Sequence, residues 1–188
     1  MSSRDQVGGD RFHPLGGHHM TALAPINLSR WVGENRHLLQ PPVGNKAMWN
    51  GDFLVMIVGG PNQRNDYHIN PGGELFYQVE GDIVLKVVDG REHRDIPIRQ
   101  GELFLLPAGV PHSPRRPAGT VGLVVEQPRA HEAADHHLRW YCPSCGHVIH
   151  DAAFQPVDLG AQIKEMLAEF NDSEELRTCK ACGMIHPV

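Results

Sequence analysis

Residues 66–81, DYHINPGGELFYQVEG, and residues 101–112, GELFLLPAGVPH, decide how this chain folds. In the first, His68 and Glu74 lead into a short, largely apolar run that Glu80-Gly81-Asp82 turns back. In the second, Leu103–Leu106 runs into a Pro/Gly corner and then reaches His112. Working outward, FLVMIVGG at Phe53–Gly60 is too short for a helix and rich in Val and Ile, as a buried strand is. Asp89-Gly90 and Gln100-Gly101 punctuate the runs that follow, and TVGLVVEQP closes them at residues 120–128. Asp-Gly between such runs signals a hairpin, because Gly accepts positive φ at little steric cost. Strands recurring about every 8 to 12 residues with turn signals point to an all-β antiparallel sandwich or barrel. Upstream, RWVGENRHLL has helical spacing, with Ser29 as the expected N-cap and Pro41-Pro42 as the stop.

A chain of 188 residues suits one ordinary domain with a modest appendage. Its net charge of -5 opposes binding to a polyanion, so no nucleic acid is expected as partner. No window approaches the roughly 18 uninterrupted apolar residues of a membrane span. The first twenty residues have no apolar core of a secretory signal, which makes a cytoplasmic location the default. Their Gly, His and polar content buries little surface, so residues 1–22 read as a disordered tail. The strand pattern ends near Pro128, and the polar AHEAADHH reads as a connector into a second unit. The expected organisation is therefore a tail over 1–22, a barrel over 23–130 and a C-terminal region over 131–188.

Two neutral imidazoles and a carboxylate, from His68, Glu74 and His112, form a 2-His-1-carboxylate set. Its hard and borderline donors suit Fe(II) and leave three of six octahedral positions for a chelating substrate and dioxygen. The spacings Glu74-x6-Gly81 and Gly101-x5-Pro107-x-Gly109-x2-His112 resemble the two signature boxes of the cupin superfamily. That resemblance implies a jelly-roll, double-stranded β-helix barrel with metal ligands at strand ends. Two positions depart from it. Asn70 stands where a second His is usual, which leaves three ligands, and Arg116 replaces the usual Asn.

All four cysteines occur as Cys142-Pro-Ser-Cys145-Gly and Cys179-Lys-Ala-Cys182-Gly. Without an export signal, two such pairs favour a tetrahedral Fe or Zn site over disulfides. Between them, Leu159, Ile163, Met166, Leu167 and Phe170 share one face of an expected helix that Asp158 would cap. A closed four-thiolate site has no vacant position, so its role is read as structural.

Arg64 and Arg116 each lie four residues from a predicted ligand His, and guanidinium pairs near a metal suit an anionic substrate. Glu126 ends the apolar run LVVE, which turns its carboxylate toward the interior. GGPNQRNDYH, ELFYQVEG, GELFLLPAGVPHSPRRP and LVVEQ, followed by WYCPSCG and CKACG, together resemble the bacterial-type 3-hydroxyanthranilate 3,4-dioxygenases over about Pro25 to Val188. The resemblance implies iron ligation by His68, Glu74 and His112, and a rubredoxin-like four-cysteine appendage. It implies dioxygen contact by Arg64, substrate contacts by Arg116 and Glu126, and a pocket to which Asn45 and Glu74 also contribute. It further implies 3-hydroxyanthranilate and O2 as reactants, 2-amino-3-carboxymuconate semialdehyde as the product on the way to quinolinate and NAD, and a homodimer. Other readings of the same residues are a non-catalytic cupin sensing a small aromatic carboxylate, a metal-dependent isomerase, and a dioxygenase of another aminophenol.

Overall fold

Antiparallel pairing accounts for every strand contact in the computed structural model, which describes residues 25–40, 44–62, 64–127, 136–155 and 159–188. The expected tail, the Pro41-Pro42 stop, Asp158 and most of the 130–137 connector lie outside the described residues. The chain forms two units, Met1–Glu34 and Asn35–Val188.

The helix α1 (Leu28–Asn35), all but its last residue in the first unit, begins two residues earlier than the sequence suggests. Asn27, not Ser29, is the cap: its Oδ1 accepts a hydrogen bond from Arg30 N at 2.9 Å, serving an amide that the helix cannot.

The second unit holds β1 (Asn45–Asn50), β2 (Leu54–Gly59), β3 (Tyr67–Ile69), β4 (Glu74–Glu80), β5 (Ile83–Asp89), β6 (Glu92–Ile98), β7 (Leu103–Leu106), β8 (His112–Arg115), β9 (Val121–Glu126), β10 (His136–Tyr141) and β11 (Val148–Phe154). The helices α2 (Leu159–Asp172) and α3 (Glu174–Arg177) follow. The five-stranded sheet has the order β1-β2-β9-β4-β7, and the six-stranded sheet the order β11-β10-β3-β8-β5-β6. This is an all-β sandwich of two antiparallel sheets. The expected strands occur, and Gly81 and Gly90, both at φ +63°, turn β4 into β5 and β5 into β6.

Two elements were hidden in the sequence. β1 is polar and mostly exposed, so it carries no apolar period and forms by pairing with β2. The end of the connector, His136-His137, opens β10 instead of looping, because β10 pairs with both β3 and β11. The C-terminal strands thus extend the larger sheet. Among the described residues no helix is long and apolar enough to cross a membrane.

The interior between the sheets is filled by Met56, Phe76, Ile83, Leu85, Val87, Ile98, Leu106 and Val124. A second apolar cluster, Leu138, Trp140, Ile163 and Phe170, joins β10 to α2, with Trp140 and Phe170 stacked at 4.3 Å between centroids. Leu85 is fully buried in the first cluster. Leu85→Ala should lower the unfolding free energy by about 2–5 kcal/mol, read from a urea midpoint at constant slope. A loss under about 1 kcal/mol would mean that this interior repacks around the missing atoms.

Candidate functional site

The larger sheet supplies two imidazoles and the smaller sheet two carboxylates. β3 and β8 are neighbours, with His68 directly opposite His112. On the other sheet β4 pairs with β9, and Glu74 is opposite Glu126. All four side chains are buried.

Glu74 Oε1 lies 3.3 Å from His112 Nε2 and 3.7 Å from His68 Nδ1. The candidate ligand atoms of the three residues all lie within 4.8 Å of one another. His112 Nδ1 faces the carbonyl of Val110 at 3.0 Å and donates to it in the neutral ring, which leaves the lone pair on Nε2, toward Glu74. Glu74 Oε1 is buried without a hydrogen-bond partner. A buried acceptor left without a donor costs about 1–3 kcal/mol, more when charged, and a divalent cation among the three residues relieves it. The donor set therefore fits a metal ion.

Burial pushes the Glu74 carboxyl up, but the neighbouring His112, together with Asn70 and His136, outweighs it and holds the carboxyl below its usual range. In return, Glu74 raises His112 above 6.5 against the opposing effect of burial.

Arg64, Arg116, Glu126 and Asn45 line the same cavity as His68, Glu74 and His112, beside Met56, Val58, Phe76 and Val124. A flat aromatic acid suits such a mix of apolar walls and a few charged groups. The two arginines differ in kind. Arg64 Nε donates to Asp66 Oδ1 at 2.9 Å and its Nη2 contacts Asp66 Oδ2, while Arg115 donates to its main-chain carbonyl. Burial lowers the Arg64 pKa, and Asp66, together with Glu74 and Glu126, more than restores it.

Arg116 is 3% exposed and has no carboxylate partner among the described residues. Its Nη1 donates to the neutral Gln78 Oε1 at 3.3 Å, its Nε has no partner, and burial pushes its pKa down to about 10. It stays charged at neutral pH, a buried cation matched to an anion that the protein itself does not provide. Asn70 donates to Glu126 Oε2 at 3.1 Å and accepts from Gly72 N at 2.9 Å, so the missing ligand His is replaced by a side chain that holds a carboxylate.

The cysteines form a second centre. Cys142 N donates to His147 O and Gly146 N to Cys142 O; Cys179 N donates to Met184 O and Gly183 N to Cys179 O. Gly146 and Gly183 close the two matching knuckles at φ +71° and +76°. The sulfurs of Cys142 and Cys182 are 3.5 Å apart, and those of Cys145 and Cys179 are 3.7 Å apart. Metal–sulfur bonds of about 2.3 Å at tetrahedral angles put sulfurs about 3.8 Å apart, far beyond a disulfide. Burial pushes the Cys142 thiol up, yet the amides of Cys145 and Ser144 outweigh it and leave it at about 7. These four residues, too, could hold a metal ion.

Residues 20–171 match the model of the 3-hydroxyanthranilic acid dioxygenase family. The chain belongs to that family. It is 53% identical to the 3-hydroxyanthranilate 3,4-dioxygenase of Neurospora crassa, over 86% of this chain and 89% of that one. With the same-named protein of Xanthomonas campestris the identity is 52%, over 88% of this chain and 93% of the other. A solved cupin-2 domain containing protein from Shewanella frigidimarina is 18% identical, with a TM-score of 0.42 over 52% of this chain and 91% of that one.

Sequence reasoning on this family member missed three neighbours of the site. Asp66, fully buried, clamps Arg64, and its place two residues along an extended stretch from an Arg was the available hint. Gln78 on β4 reaches Arg116, and His136 reaches His68 across strands. Neither had a sequence signal, since both contacts join residues distant along the chain.

Two expectations follow. Manganese(II) uptake by the metal-free centre should release protons, and its affinity should fall as pH is lowered from a point above 6.5, because the proton on His112 competes with the ion. Calorimetry in buffers of different ionisation enthalpy reads this, and a proton-independent affinity would remove His112 from the ligand set. At Gly122 an added Cβ would meet Arg116 Nη1 at 2.7 Å and Gln78 Oε1 at 3.0 Å. Gly122→Ala should therefore displace the guanidinium and weaken binding of an aromatic carboxylate about tenfold, or about 1.4 kcal/mol. Unchanged affinity in a ligand titration would show that Arg116 does not face the acid.

Proposed function

We propose that this chain is an iron(II)-dependent 3-hydroxyanthranilate 3,4-dioxygenase, which opens the aromatic ring with both atoms of O2 to give 2-amino-3-carboxymuconate semialdehyde. What carries the reading is the unserved Glu74 oxygen between two imidazoles, in one cavity with a buried Arg116 that has no acid partner among the described residues, in a chain of this family. His68, Glu74 and His112 would hold iron(II), which when bound would supply the Lewis-acid and redox chemistry that joins an aminophenol to dioxygen. In this reading Arg116 takes the substrate's carboxylate and aligns the ring. Arg64, fixed by Asp66, presents its remaining N–H groups to dioxygen. Glu126, steadied by Asn70 through Oε2, takes the proton that the substrate loses on binding. Asn45 and the apolar walls exclude water from the ring.

The same reading divides the chain into a tail over 1–22, a catalytic barrel over 23–130 and a region over 131–188 whose four thiolates hold structural Fe or Zn. A cytoplasmic homodimer completes it. Leu103 and Leu105, about two-thirds exposed on the edge strand β7, are an apolar strip for a second copy to cover.

Anaerobic loading with iron(II), followed by 3-hydroxyanthranilate and measured oxygen, should consume one O2 per ring-opened product. Glu126→Gln should lower kcat by about 10²–10⁴ with little change in KM, as loss of a proton acceptor does. Substrate binding without oxygen uptake would instead identify a sensor.

A further inference from the structure

His136 begins β10, which pairs with β3 so that Leu138 lies opposite His68 and His137 opposite Ile69. Its ring is buried, yet it is absent from the cavity wall. His136 Nδ1 is 2.7 Å from His68 Nε2, the ring centroids are 4.9 Å apart, and the planes differ by 5°. Stacked rings keep their atoms about 3.5 Å apart or more, so nitrogens this close belong to two imidazoles meeting edge to edge in a common plane. Phe154 of β11 packs near both, 5.4 Å from the His136 ring and 6.5 Å from that of His68.

We infer that His136 is a positioning residue for the metal: its Nδ1 accepts the Nε2–H of His68 and so fixes the tautomer and direction of that ligand. The nitrogen of His68 that faces Glu74 is Nδ1. To bind a metal, Nδ1 must carry a lone pair, and a neutral imidazole has a single N–H, which is then on Nε2. An acceptor in the ring plane at that point selects this tautomer and prevents rotation about the Cβ–Cγ bond. An outer partner of this kind typically sustains about 10–100-fold in metal affinity. The inference rests on His68, Glu74 and His112 being the ligands, and adds to them a residue that never touches substrate.

Manganese(II) binding tests it, with free ion counted by electron paramagnetic resonance on the full chain after its cysteine cluster has been filled with zinc. Thiolates disfavour manganese, so the titration reads the His-Glu-His centre alone. His136→Ala and His136→Leu, the latter filling the buried volume, should weaken manganese binding by about 10–100-fold. His136→Asn, whose Oδ1 falls near the place of the imidazole Nδ1, should stay within about threefold of the unaltered chain. The inference is overturned if His136→Ala binds as tightly as the unaltered chain, or if the Asn variant is as weak as the Ala variant. A changed low-temperature line shape in the Asn variant would put His136 on the ion itself and would equally overturn it. His112→Ala is the separate control: if it binds as well as the unaltered chain, the ligand set fails, and this inference with it.

Discussion

A carboxylate oxygen sealed away from water, with two imidazole nitrogens beside it and no hydrogen to serve it, is the constraint on which the rest of the structure depends. Glu74 Oε1 is in that position. An unpaired charge in the interior is unfavourable unless something compensates it, and here the compensation comes from outside the chain, as a proton or a metal ion. The sandwich serves this arrangement. One sheet places His68 opposite His112 and the other places Glu74 opposite Glu126, so the converging groups are set by strand register and not by loops. A slip of one residue in any of these strands would turn the ligand to the opposite face.

The arginines show how the same side chain is put to different uses by its surroundings. Asp66 neutralises Arg64 and immobilises it, so this group offers directed hydrogen bonds with little net charge. Among the described residues the Arg116 guanidinium has a neutral amide as its partner and no carboxylate, so its charge is left uncompensated. Gly122 on β9 makes room for the guanidinium, since any side chain at that position would collide with it. Asn70, where a fourth ligand is usual in cupins, holds Glu126 instead. A neutral amide at this position thereby steadies a buried carboxylate in the wall of the same cavity.

β10 ties the His-Glu-His cluster and the four-cysteine cluster into one framework. It opens with His136 against His68 and ends beside Cys142 of the first knuckle, with Leu138 and Trp140 buried in between. The apolar cluster around Trp140 and Phe170 anchors α2, which spans the gap between the cysteine pairs. The four-cysteine cluster thus closes the end of a strand that also borders the His-Glu-His cluster.

Much of this was legible in the order of residues. Strand alternation, Gly turns and the spacing of Glu74, Gly81, Gly109 and His112 are local properties, and local sterics and hydrogen bonding act on neighbours along the chain. The paired cysteines were legible for the same reason, because each knuckle closes through its own backbone. Four features stayed hidden: β1, His136, Asp66 as the clamp on Arg64, and the different electrostatic states of the two arginines. β1 has no apolar period of its own and forms only by pairing with β2. His136 sits in a polar stretch that reads as a loop until β3 and β11 flank it. By itself the sequence determined the strand class, the family and the two groups of side chains that could hold a metal ion; the tertiary structure alone decided which charges are neutralised and which nitrogen of His68 faces Glu74, because burial and cross-strand register act between residues that sequence spacing does not connect.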